Sequence, residues 1–117
     1  MSTLAGSLRV AAEASARLAQ TYRGDIATAS ADESPKNLMA AVHSLAAAET
    51  QSTLFISALH VLENDGDLAR WLMAQAFHTA DDTWSGRGND LKRVIHDARI
   101  KALSQINDLQ ALVTSHG

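Results

Sequence analysis

The chain has 117 residues, 46% of them hydrophobic but only five aromatic, and a net charge of −3; this is one domain's worth and excludes two ordinary ones. The absence of cysteine rules out a disulfide framework, a thiol nucleophile and any cysteine-built metal site. Lys and Arg are too thinly spread for the basic footprint that nucleic-acid phosphates need, and a single proline among many alanines excludes an all-β fold in favour of closely packed helices.

The first helix is expected over roughly residues 4–22, where Leu4, Leu8, Ala11, Ala12, Leu18 and Tyr22 recur near helical spacing. Arg23-Gly24-Asp25 reads as its stop, and the polar stretch from Thr28 to Ser34 as a connection. Ser34-Pro35 is a start signal, a hydroxyl N-cap followed by a proline whose missing N–H costs nothing in the first turn. The second helix then covers 35–63, with Leu38, Val42, Leu45, Ile56, Leu59 and Leu62 on one broad face. The run Glu49-Thr50-Gln51-Ser52-Thr53 interrupts that face, which implies either a locally tight helix crossing or a break.

Asn64-Asp65-Gly66-Asp67 is a turn ending in an N-cap candidate. The third helix is expected over 68–83, with Leu68, Leu72, Ala76 and Ala80 on its stripe and Trp71, Met73, Phe77 and Trp84 widening it. After the breaker Ser85-Gly86-Arg87-Gly88-Asn89, the fourth helix spans about 90–113. Leu91, Ile95, Ala98, Ala102, Ile106, Leu109 and Val113 make it the most regular seam in the chain. Short connections between amphipathic helices predict an all-α, antiparallel four-helix bundle. Residues 1–117 form a single domain in this reading, from which 1–33 are separable as a peripheral helix and linker.

No apolar run approaches the roughly 20 residues that cross a bilayer, and Met1 to Gly6 shows no secretory signal, so a cytoplasmic location is the default. There is no glycine-rich phosphate loop after a strand, hence no nucleotide site. Neither a nucleophile elbow nor a Ser/His/acid set is suggested by spacing, and the adjacent Asp81 and Asp82 point about 100° apart on a helix, so no enzyme is expected and no cofactor.

Folding the helices about their turns brings His78 level with His96 and within about a turn of Glu49. Imidazoles and carboxylates projecting into a bundle are how metal centres are built there. Glu49, His78 and His96 are therefore the metal-site alternative, although the Glu-x-x-His repeat of such bundles is absent and only its reverse occurs, as His60-x-x-Glu63 and His78-x-x-Asp81.

His43-Ser44-Leu45 in an alanine- and leucine-rich helix, with Leu62-Glu63 about five turns on and Gly66-Asp67 after it, resembles histidine phosphotransfer domains. The resemblance covers about residues 37–80 and implies a four-helix bundle with His43 as an exposed phosphoacceptor. Two positions depart from the pattern: Ala46 stands where a lysine would assist the phosphoryl group, and Ala47 where a glycine would make room for a partner. Trp84-Ser85-Gly86 similarly resembles the Trp-x-Gly turn of small secreted helical-hairpin proteins, but without their C-terminal export signal after Leu91.

The leading expectation is a non-enzymatic protein–protein interaction module, a homodimer or a regulator- or chaperone-like adaptor. It would bind a protein partner or itself, with no role for nucleic acid, nucleotide or membrane. The residues expected at its surface are Trp71, Phe77, Trp84, Leu109, Leu112 and Val113. The aromatic cluster around the third helix is either core or binding surface.

Overall fold

The computed structural model describes residues 3–80 and 90–116, with side chains to Thr79 and from Leu91 to Leu112. It consists of four helices, α1 (Leu4–Ala31), α2 (Pro35–Glu63), α3 (Leu68–Ala80) and α4 (Asp90–His116), with no strand among the described residues. This is the expected all-α four-helix bundle, and its outer helices run longer than predicted.

The largest difference is at the end of α1. Arg23-Gly24-Asp25 does not stop the helix, which continues to Ala31. Gly24 leaves open space around it rather than a turn, and the Thr28 hydroxyl donates to the Gly24 carbonyl at 3.1 Å. One glycine costs a helix interior only about 1 kcal/mol, and packing of α1 along α2 outweighs that. Among the described residues α1 and α2 form the most extensive helix pair.

Both helix ends on the α2 side close alike. Beyond α1, Glu33 takes a positive φ of 53°, its N–H donates to Ser30 O, and the Ser34 N–H reaches back to Ala29 O. Beyond α2, Asp65 has φ 57°, its N–H donates to Leu62 O, and the Gly66 N–H reaches Val61 O at 2.7 Å. This paired bonding satisfies carbonyls that a helix end otherwise leaves bare. The start signals are as expected: Ser34 caps α2 by accepting from the Asn37 N–H, and the Asp67 carboxylate caps α3 by accepting from the Arg70 N–H at 3.1 Å.

α2 is unbroken through Glu49–Thr53, so the expected break does not occur. The Thr50 hydroxyl donates back to Ala46 O at 2.7 Å, and Glu49 points out to Arg23 of α1. On α1 the residues turned inward are Leu8, Ala12, Ser15, Ala19, Tyr22, Ile26 and Ala29, alternating four and three apart. The matching stripe on α2 includes Ala41, Ala48, Phe55 and Leu62. This is a heptad seam, built largely of small residues that let the backbones approach. Leu18 and Ile56, expected on the inner faces, are exposed.

Bulk gathers at one end, where Leu8, Leu54, Phe55, Leu68, Leu72, Leu103 and Ile106 from all four helices form the core. A buried alanine contributes about one methyl-sized increment of 0.8 kcal/mol against roughly 1.5–3 for a leucine or phenylalanine, so stability is concentrated at that end. The radius of gyration, 16.1 Å, exceeds the roughly 13 Å of a compact chain this long, as the unequal helices require. α3, with 13 residues, spans about 20 Å and α4, with 27, about 40 Å.

Candidate functional site

The main concavity of the described surface lies between α3 and α4. α3 lies against α4, and its Leu68 and Leu72 join Leu54, Phe55 and Ala58 of α2 in the core. Its register on α4 is marked by Arg99, which donates to Gln75 Oε1 at 3.3 Å. Between the two helices runs an open, mainly apolar cleft of about 640 Å³. Leu72 and Leu103, both nearly buried members of the core, line it together with Met73, Ala76 and Ile100. Thr79 and His96 lie along it, as do Ala69, Ser104, Asn107 and Gln110. Thr79 is buried, its hydroxyl satisfied by donating to Gln75 O at 2.8 Å.

Large apolar side chains stand out in the water around this cleft. Met73 is 74% exposed and Phe77, one turn on, 75%. Ile100 is about half exposed, and Leu112 more so. Folding does not bury these side chains within the chain, and contiguous exposure of this kind marks interaction sites.

The expected surface set therefore divides. Phe77 and Leu112 are exposed, whereas Trp71 and Leu109 are half-buried and pack against the core. Trp71 and Leu109 thus contribute to the lining of the core while remaining partly exposed. Trp84 and the Val113 side chain lie outside the described residues, as does the Trp84-Ser85-Gly86 turn. Sequence reasoning missed Ile100, which falls off the regular seam of α4. The signal was present in the second stripe Ile100-Ser104-Asn107-Ala111, whose polar members disguise it.

The metal-site alternative is not assembled. Glu49 is half exposed and paired with Arg23 at 2.7 Å on the α1–α2 side, whereas His96 lines the α3–α4 cleft and His78 is exposed. Among the described residues, no group of three His, Asp or Glu side chains is close enough to hold a metal ion. His43 is half-buried in α2, with Ala46 and Ala47 on the following turn. A groove between α1 and α2, lined by Asp25, Asp32, Ala40 and Ser44, does not include His43.

No helix among the described residues is long and apolar enough to cross a membrane. No protein-family model, curated protein or solved structure matches the chain.

Proposed function

We propose that the protein is a non-enzymatic helical interaction module whose α3–α4 cleft receives an amphipathic helix from a protein partner, in the manner of a small regulator or adaptor. The observation that carries this reading is the open apolar cleft, lined by the exposed side chains of Met73 and Ile100, with exposed Phe77 one turn on from Met73 along α3. A groove between two helices, open along its length, suits the apolar face of a third helix anchored at i, i+3, i+4 and i+7 spacing. Phenylalanine supplies a large contact area, and methionine adapts its shape to irregular partners.

A photoreactive benzophenone side chain placed at Met73 in living cells tests the reading, with the same group at exposed Gln20 on α1 as control. Light-dependent protein adducts are expected at position 73 alone, and they should disappear when Ile100→Glu is added. Equal labelling at both positions, or none at 73, refutes the proposal.

A further inference from the structure

We infer that the occupant of this face is a second copy of the chain, docked so that α4 pairs antiparallel with α4 across a two-fold axis near Ser104 and Gln105. The inference rests on the cleft being a docking surface, and adds what docks there.

The cleft does not end at its floor. A second, shallower depression continues round α4 over Asp97, Ile100, Lys101, Ser104, Gln105 and Asp108, sharing Ile100 and Ser104 with the first. Lys101 and Asp108 are both exposed, and among the described residues neither belongs to an ion pair. They are seven residues apart, so they occupy the same heptad position on one face of α4 with opposite charges.

That pattern discriminates between orientations. A parallel pairing sets Lys101 against Lys101 and Asp108 against Asp108, which is repulsive. An antiparallel pairing centred between them sets Lys101 of each copy against Asp108 of the other, giving two equivalent ion pairs, as a self-complementary two-fold interface requires. Ser104 and Gln105 fall at the crossing, where the small Ser104 permits close approach. Within the chain the α1–α2 pair uses the same device, with Arg9–Glu63 and Arg23–Glu49 bridging an antiparallel heptad seam.

The cleft and the shallower depression share Ile100, which is about half exposed, so apolar surface of the cleft borders the proposed α4 seam. A net charge of −3 opposes self-association only slightly.

Sedimentation equilibrium from about 1 to about 500 µM, a range spanning weak to firm self-association, tests the inference on the full chain. The variants are Lys101→Asp, Asp108→Lys and the two combined. All sit on an exposed helix face, and circular dichroism checks that they fold. The wild type is expected to dimerise; each single reversal should weaken the dimer about tenfold or more, and the double reversal should restore it. A wild-type chain that stays at 12.5 kDa throughout, a dimer indifferent to the single reversals, or a double variant as weak as the singles each overturns it. If purified protein is monomeric while the benzophenone at Met73 still captures protein in cells, the second copy is wrong and the docking cleft stands. If both fail, both readings fall.

Discussion

Arg23 on α1 donates to Glu49 on α2 at 2.7 Å, and fourteen residues away on each helix Arg9 repeats the contact with Glu63 at 3.3 Å. Two bridges at equal spacing, about 21 Å apart along the hairpin, mean that α1 and α2 stay in one antiparallel register over two heptads. Each pair is about half exposed to water. Their value therefore lies in setting register more than in stability.

Reversing one partner tests that role. Arg23→Glu or Glu49→Arg alone should cost about 0.5–1 kcal/mol in urea unfolding, and the combined swap should recover most of it. The loss should shrink near 1 M salt, where the Debye length falls to about 3 Å. A swap no better than the single changes would mean the pair does not couple the helices.

The alanine seam makes an opposite demand, for smallness. Ala48 is nearly buried where α2 meets α1. Ala48→Leu should lower stability by about 1–3 kcal/mol through overpacking, although leucine is nearly as good a helix former and more apolar. A denaturant midpoint at or above wild type would show that the helices can separate at no cost.

Two glycines should respond with opposite signs to the same change. Gly24→Ala adds a methyl to open space in the interior of α1 and should stabilise by about 0.5–1 kcal/mol. At Gly66 an added Cβ meets the Val61 carbonyl oxygen and Cγ1, each at 2.9 Å. Because the backbone oxygen cannot yield without breaking the α2 cap, Gly66→Ala should destabilise by about 1–2 kcal/mol. Thermal melts of the two variants should move in opposite directions.

The two phenylalanines separate core from surface. Phe55 is 2% exposed at the centre of the core, and Phe55→Ala should cost about 3–5 kcal/mol, much of a small domain's stability. Phe77→Ala should change the unfolding of dilute monomer by no more than about 0.5 kcal/mol. Its effect should fall on the proposed docking instead, reducing protein capture by the benzophenone at Met73.

Local signals located most helix boundaries. Ser34-Pro35 opened α2 at the expected residue because an N-cap acts within one turn, and the turn through Gly66 and Asp67 closed α2 and opened α3 for the same reason. Arg23-Gly24-Asp25 misled because a glycine's local cost is small beside the burial of a long helix face against α2. Among the site residues, Phe77 and Leu112 were placed at the surface from composition and pattern alone. Whether Trp71 faced core or water was not legible in its stripe, because that depends on which faces meet across the bundle; it and Leu109 pack partly against the core.

Residue order along the chain thus settled the helical class, the number of helices and most of their caps, all consequences of hydrogen bonding and periodicity over a few residues. Tertiary packing alone decided the unbroken course of α1 and α2, the alanine seam between them and the open α3–α4 cleft. Those depend on which faces meet across the bundle, and the apolar surface along the α3–α4 cleft is revealed only by their docked arrangement.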